Sequence, residues 1–234
     1  LMSCFQLLPG FSAALQRVLI VLALGTGGMA MAQEGVLSQL YAARPPAGSS
    51  YVRVVNPEPV ALAVRVATGP VQQLGGQAPA SSYAIVRGGE EFSVQVGGAE
   101  AARLRVPPDS FQTLVLRRTR AGFALTPMDD TSGNEDALKA ELRFYNLARG
   151  CPVAQLLLAP AGTPVFSAVA EGTAAARSVN PVRASVSGRC GGAATPAQPL
   201  PALQPGDHLS LFLLGEAGAP RLVIQANRTD PFKR

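Results

Sequence analysis

The sequence predicts an all-β protein: two tandem, small antiparallel β-sandwich (Ig-like) domains after a cleaved signal peptide. Three observations predict this class. Of the 234 residues, 24 are Gly and 20 are Pro, which disfavours long helices. From Tyr51 onward, apolar and polar residues alternate with a period of two, as in half-buried strands. Turn-forming pairs such as Gly75-Gly76 and Gly88-Gly89 separate these runs, which is typical of an antiparallel sandwich.

Residues 1–32 have the features of a secretory signal peptide. Arg17 precedes an apolar run at residues 18–24, and Ala30 and Ala32 place small residues where a signal peptidase reads. The alternative is a membrane anchor, but the run is short of the roughly 20 residues that span a bilayer. We therefore expect cleavage after Ala32, export, and no transmembrane segment in the mature chain.

The first domain is assigned to residues 33–127, followed by a linker at 128–138. The linker is predicted from a polar, acidic interval that interrupts the strand pattern. The alternating runs that predict strands in this domain are Val52–Val54, Leu62–Val66, Phe92–Val96, Arg103–Val106, Phe111–Leu116 and the weaker Phe123–Thr126.

The second domain, residues 139–234, repeats the pattern of the first. The segment Val52–Asn56 is echoed by Leu142–Asn146 at an offset of 90 residues. The segment Pro108–Leu116 is echoed by Pro205–Leu213 at an offset of 97 residues. Chance similarity between short β patterns is the alternative. The two matched segments occur in the same order in both halves, which favours duplication of one sandwich.

Two cysteines, Cys151 and Cys190, remain after removal of the signal peptide. In an exported chain they predict a structural disulfide, which would close a loop of about 40 residues. The alternative, a reactive thiol pair, lacks the C-x-x-C spacing of redox motifs.

The net charge of +5 comes from scattered Arg residues and indicates solvated strand faces, as in Arg103-Leu104-Arg105-Val106. Weak attraction to an acidic polysaccharide is the alternative. The longest basic run, Arg117–Arg120, is too short to favour nucleic-acid binding.

The sequence offers no recognisable active site. The chain has one histidine, His208, at a strand entrance, and no tryptophan. Motifs for a nucleophile elbow, a phosphate loop or a dinucleotide site do not occur. Adjacent acids on a strand point to opposite faces, so the pairs at 90–91 and 129–130 form no acid–base couple. We therefore predict no catalytic residues, no metal ligands and no cofactor. With only four tyrosines as stacking platforms, a polysaccharide-binding module is disfavoured.

The segment Leu40–Asn56 resembles the opening of the mature alginate O-acetylation accessory proteins of the AlgF family. That opening has a Leu-Tyr, a Pro, a Gly-Ser, an aromatic residue, Val-Arg and a strand that ends in Asn. Further points agree in order, and the resemblance covers almost the whole mature chain. They are Leu74-Gly75-Gly76, the strand at Leu142–Leu147, Asn180-Pro181-Val182-Arg183, and the closing Arg221–Pro231.

The resemblance implies a non-catalytic periplasmic adaptor, required for O-acetylation of alginate, or of cellulose in a related cassette. It would bridge a membrane acyltransferase and periplasmic acetyltransferases. The alternatives are an acetyl-transferring enzyme or carrier that uses Ser or His208, and a polysaccharide-binding module. The candidate partner-binding residues cluster around the first strand, where the alternative is that they only cover the core. They are Tyr41, Pro45, Gly48, Ser49, Arg53 and Asn56.

Overall fold

A computed structural model of the chain describes residues 44–131 and 136–232. All regular secondary structure in these ranges is β-strand, so the predicted all-β class is confirmed. The predicted signal peptide and Tyr41 lie outside the described residues. Within the described ranges, no helix has the length and apolar character needed to cross a membrane.

The first half of the described chain forms two four-stranded sheets. Inner sheet 1 has the strand order β4-β1-β7-β8, and outer sheet 1 has the order β3-β2-β5-β6. The strands are β1 (Ser49–Val55), β2 (Leu62–Val66), β3 (Gln72–Leu74), β4 (Ala84–Arg87), β5 (Phe92–Val96), β6 (Ala99–Leu104), β7 (Phe111–Thr119) and β8 (Gly122–Asp129).

The second half repeats this arrangement. Inner sheet 2 has the order β12-β9-β16-β17, and outer sheet 2 has the order β11-β10-β13-β14, with β15 also paired to β13. The strands are β9 (Ala140–Asn146), β10 (Val153–Ala159), β11 (Thr163–Ala170), β12 (Thr173–Val179), β13 (Ser185–Cys190), β14 (Ala193–Ala194), β15 (Gln198–Pro199), β16 (His208–Glu216) and β17 (Ala219–Ala226).

Strand pairing follows the same register in both halves. Val52 of β1 lies beside Gln112 of β7, and Leu142 of β9 lies beside Leu209 of β16. These pairs keep the sequence offsets of 90 and 97 residues. Both pairings are parallel, whereas the other strand pairs in the sheets are antiparallel. The repeat detected in the sequence is therefore also a repeat of topology. The domain limits at 127, 138 and 139 remain a prediction; β8 ends at Asp129 and β9 begins at Ala140.

Three apolar layers separate four stacked sheets. The first lies between inner and outer sheet 1 and includes Val52, Val94 and Leu114. The second lies between inner and outer sheet 2 and includes Leu156 and Leu211. The third lies between the two inner sheets. Its buried members come from both halves: Val55, Ala80, Val115, Tyr145, Leu147, Phe212, Leu214 and Val223.

This stacking explains the burial of the inner strands. Every residue of β9 is buried, and in β1 only Tyr51 is partly exposed. The sequence pattern of β1 predicts one face in water, but that face packs against the other half. Alternate residues of the inner strands thus serve a sandwich core and the contact between the halves.

The predicted disulfide between Cys151 and Cys190 is present. Their Cα atoms are 5.7 Å apart, and the bond joins positions 39 residues apart in the chain. Both cysteines are buried in the core of the second half. The bond ties the segment before β10 to the end of β13, which are neighbours in outer sheet 2.

Replacing Cys151 and Cys190 together with Ala should lower the free energy of unfolding by about 2–5 kcal/mol, because the unfolded chain loses a cross-link. Urea denaturation of the oxidised protein and the double variant measures the difference. The variant under reducing conditions is the control, since reductant should leave its midpoint unchanged while lowering that of the parent. Equal stability of parent and variant would contradict a structural role.

Candidate functional site

A cleft of about 550 Å³ opens along the boundary between the two halves. Its volume lies within the range of small-molecule sites. Both halves contribute to its walls, which include Tyr83, Phe111, Asp130, Glu141, Arg143 and His208. The cleft is therefore formed only when the two inner sheets pack on each other.

Arg53 of β1 lies behind this cleft and is only 1% exposed. Its Nη2 donates to the Tyr145 hydroxyl at 2.6 Å and to Ser210 Oγ at 2.8 Å. Its Nη1 donates to Asn227 Oδ1 at 2.9 Å. These three partners belong to the second half, so one guanidinium of the first half crosses the boundary with three hydrogen bonds.

Asp130 supplies the compensating charge. Its carboxylate lies 3.6 Å from Arg53 Nη2 and 3.9 Å from Arg143 Nη1. It accepts hydrogen bonds from the hydroxyls of Tyr83 at 2.9 Å and Tyr145 at 2.8 Å, and also from Thr113. A buried charge requires such pairing, because desolvation of an isolated ion costs several kcal/mol.

The duplication accounts for the position of these groups. Arg53 and Arg143 occupy matching sites on β1 and β9, and Asp130 and Asn227 each follow the last strand of their half. Arg53 reaches Asn227, and Arg143 faces Asp130, so the two contacts are related by a local pseudo-two-fold arrangement. Because Asn227 occupies the position that matches Asp130, a single carboxylate lies between the guanidinium groups of Arg53 and Arg143.

Burial and charge shift the titration of this cluster. Burial lowers the pKa of Arg53, but the interactions with Tyr145, Tyr83 and Asp130 outweigh it and the net pKa is raised. Burial raises the pKa of Tyr145 to about 12 despite the opposing effect of Arg53. Burial also raises the pKa of Tyr83 well above its usual value. Both phenols therefore remain protonated donors to Asp130 at neutral pH.

A second charged group lines the mouth of the cleft. Glu141 Oε1 accepts a hydrogen bond from Arg143 Nη2 at 3.1 Å and lies 3.9 Å from His208 Nδ1. The side chains of Glu141 and Arg143 are about nine-tenths buried, whereas His208 is 51% exposed. The arrangement places fixed donors and acceptors beside a half-exposed imidazole.

Contacts at the C-terminal end of the chain also hold the halves together. The amide of Tyr83 donates to Arg228 O at 2.7 Å, and the amide of Asp230 donates to Tyr83 O at 2.8 Å. Gln225 Nε2 donates to Ala80 O at 2.7 Å. The segment around residue 80 is thus bonded to strand β17 and the residues after it.

The candidate partner-binding residues occupy different environments. Pro45 and Gly48 are half-buried, and the Gly48 amide donates to Asp109 Oδ1 at 3.0 Å, at the rim of the cleft. Ser49 and Arg53 are buried. Asn56 is buried as well, and its amide donates to the carbonyls of Val60 and Leu74, both at 2.8 Å. The partner-binding role of the set stays a prediction.

Asn56 has a counterpart that explains its burial. Asn146, at the matching position of the repeat, donates to the carbonyls of Cys151 at 2.8 Å and Val169 at 3.0 Å. Each Asn therefore ties the end of an inner strand to the backbone of the connection that follows it and to an outer strand.

Sequence reasoning missed the charged residues of the cleft. Asp130 falls in the predicted linker, although it is only 4% exposed. Arg143 could have been found from the repeat, because it occupies the position that matches Arg53 at the offset of 90 residues. Among the described residues, no group of three His, Cys, Asp or Glu side chains is placed to hold a metal ion.

Replacing Arg53 with Met should lower the free energy of unfolding by about 3–5 kcal/mol, because Asp130 loses a buried partner and four polar side chains lose a donor. The exposed Arg65 of outer sheet 1 offers a matched control, for which Arg65→Met should change stability by less than about 0.5 kcal/mol. Urea denaturation measures both. Similar small effects of the two changes would show that the network contributes little.

Stability should fall as pH rises above about 10, because Tyr83 and Tyr145 retain their protons to higher pH in the folded chain than in the unfolded one. Unfolding then releases protons, so rising pH favours the unfolded state. The test compares urea midpoints at pH 9 and pH 11 for the parent and for Tyr145→Phe, which should show a smaller loss. An unchanged loss in the variant would rule out Tyr145 as a contributor.

Comparison with known proteins identifies the family. The sequence signature described as "Alginate O-acetyl transferase AlgF" matches residues 21–192. A protein of Pseudomonas putida named "Alginate biosynthesis protein AlgF" is 28% identical over 187 residues, covering 79% of this chain and 82% of its own length. Among solved structures, a CBM26 module of Eubacterium rectale Amy13K in complex with maltoheptaose is 9% identical, with a TM-score of 0.23, and covers 74% of this chain and 95% of its own. A structural likeness at that level carries no functional argument, but the sequence match spans most of the chain. The chain belongs to the AlgF family.

Proposed function

We propose that this protein is a non-catalytic periplasmic adaptor required for O-acetylation of an exopolysaccharide, alginate or cellulose. In this role it bridges a membrane acyltransferase and periplasmic acetyltransferases. The observation that carries the proposal is the buried network of Arg53 and Asp130, which joins two β-sandwiches into one body. A body of this kind holds the two outer sheets at a fixed separation, which suits a protein that positions partners.

Membership of the AlgF family supports a role in O-acetylation of a polysaccharide. The family description and the name of the relative from Pseudomonas putida both refer to alginate, and the description specifies O-acetyl transfer. The family description uses the word transferase, whereas the name of the relative refers only to alginate biosynthesis. The side-chain contacts bear on that distinction.

The buried serines take part in bonds that stabilise the fold. The hydroxyls of Ser50 and Ser110 donate to the carbonyl of Pro107, both at 2.6 Å. Ser210 donates to Asn227 at 2.7 Å while it accepts from Arg53. A serine nucleophile needs its proton removed by a neighbouring base, usually His. These three contacts favour structural serines, which supports the adaptor over an acetyl carrier.

A strain that lacks the gene should lose polysaccharide O-acetylation, and a tagged copy should restore it and co-purify with the acetyltransferases. In Pro45→Asp, a charge at the half-buried turn before β1 should reduce co-purification several-fold. Pro70→Asp, at an exposed proline of another loop, is the matched control. Acetyl content by NMR and immunoblots of the purified complex provide the two readouts.

Intact-mass spectrometry separates the adaptor from the catalytic alternative. Purified protein incubated with an activated acetyl ester should gain no acetyl group on Ser or His208. A stoichiometric adduct that transfers to polysaccharide would overturn the adaptor. Full acetylation of the polysaccharide in the deletion strain would instead show that O-acetylation does not require this protein.

A further inference from the structure

We propose that the end of the β7–β8 hairpin, residues 117–122, docks into an acidic groove on a partner protein. We call this segment the arginine tip. The inference rests on the proposed function and deepens it, because the partner would be one of the O-acetylation proteins that the adaptor holds. The position, charge and shape of the arginine tip each point to such a partner.

The arginine tip extends beyond the sheet to which it belongs. Strand β7 pairs with β1 as far as Val115, where β1 ends. From Arg117 onward the strand that pairs with β7 is β8, and this pairing continues to Thr119 beside Gly122. Residues 117–122 are all exposed. The arginine tip is therefore a two-stranded ribbon that projects from inner sheet 1.

The charge of the arginine tip comes from Arg117, Arg118 and Arg120, the only three arginines within four residues in the sequence. In the part of the chain that the structure describes, no ion pair involves any of them. By contrast, the exposed Arg103 is paired with Glu100 at 2.7 Å. Clustered cations repel one another, so an acidic partner would relieve this repulsion and accept charge-assisted hydrogen bonds.

Arg118 is positioned by an aromatic ring. Its guanidinium carbon lies 5.0 Å from the centre of the Phe123 ring, which stands beside it on β8. Phe123 is itself partly buried against the core of the first half. The ring therefore orients the guanidinium plane, and the N–H fork of a planar guanidinium matches a carboxylate. A side chain ordered in this way loses less conformational entropy on binding.

The matching hairpin of the second half, between β16 and β17, has no arginine at its end. At the offset of 97 residues, uncharged residues stand in place of the three arginines: Leu214, Gly215 and Ala217. Leu214 is buried in the contact between the halves. Glu216, at the position of Thr119, accepts a hydrogen bond from Arg149 at 2.8 Å. The end of the second hairpin thus stabilises the fold, whereas the shared architecture does not require the arginines of the first.

The shape of the arginine tip favours a protein over a membrane or a polysaccharide chain. A projecting ribbon is convex, so its complement is a groove, which a folded protein can offer. Arginine is also enriched among the residues that dominate binding energy in protein interfaces. Binding to a bilayer uses large apolar side chains, whereas the other residues of the arginine tip are Thr119, Ala121 and Gly122.

The arginine tip lies away from the turn that contains Pro45 and Gly48. That turn precedes β1, whereas the arginine tip lies past the end of β1, because β1 and β7 run parallel. The two surfaces therefore occupy opposite ends of inner sheet 1. A protein that bridges two others needs two separate surfaces, and this arrangement provides them.

Changing Arg117, Arg118 and Arg120 together to Glu should reduce co-purification with at least one acetylation protein about ten-fold or more, because attractive contacts become repulsive. The tagged variant is expressed in the deletion strain, and immunoblots detect the membrane acyltransferase and the periplasmic acetyltransferases. Lys at the same three positions keeps the charge without the planar fork, so it should retain part of the binding. For the parent, raising NaCl from about 50 to about 500 mM should weaken the same complex.

Exposed arginines outside the arginine tip offer a matched control with the same change in net charge. They are Arg65, Arg105 and Arg189, changed together to Glu. This control should co-purify as the parent does. Because all six positions are exposed, both triple variants should keep the urea midpoint of the parent, which verifies that any loss of binding is not a loss of folding.

The inference is overturned if the variant of the arginine tip co-purifies with all of these proteins as the parent does, or if the control loses them equally. Binding of a mannuronate hexamer or of phosphatidylglycerol vesicles that this variant abolishes, with co-purification intact, would assign the arginine tip to a polymer or a membrane instead. Failure of the proposed function has a different signature, because acetylation would then persist in the deletion strain. Loss of acetylation in that strain, with co-purification unaffected by the variant, would leave the adaptor standing and remove this inference alone.

Discussion

The architecture depends on one buried ion, the guanidinium of Arg53. Removing an ion from water costs several kcal/mol, which has to be offset by partners that stay in place. Those partners come from three segments of the second half and from Thr113 and Asp130 of the first. Because the partners stand on both sides of the boundary, the cost of burial is met only in the docked arrangement. Apolar contacts stabilise the packing of the two halves, and the hydrogen bonds of Arg53 fix their relative position.

The same requirement creates the cleft. Asp130 and Arg143 complete the charge pairing, and both residues line the cleft. Groups selected to neutralise a buried ion thus also line a space open to ligands. The contacts that pair the buried charges therefore also hold Asp130 and Arg143 in place at the cleft.

Much of the fold could be predicted from the sequence, because alternation, turn pairs and the repeat of β1 and β7 are local signals. The sequence pattern predicts no strand over β11 or β12, because both are rich in Ala and other small residues that weaken the alternation. The burial of Arg53 could not be read from alternation. An Arg between two Val residues has the same pattern whether its face meets water or another sheet. Asp130 was missed for a related reason: its burial depends on contacts with both halves, whereas the sequence around it resembles a linker.

The parallel pairing of β1 with β7 also has a kinetic consequence. Arg53 lies beside Thr113, sixty residues later, and its remaining partners in the second half extend to Asn227. A chain synthesised from its N-terminus completes inner sheet 1 long before β16 and β17 exist. During that interval an apolar face is open to water, and the Arg53 guanidinium in this face has Thr113 and Asp130 but lacks its three partners from the second half. The charge of Arg53 makes self-association through this apolar face less favourable until the second half has been synthesised and packs against it.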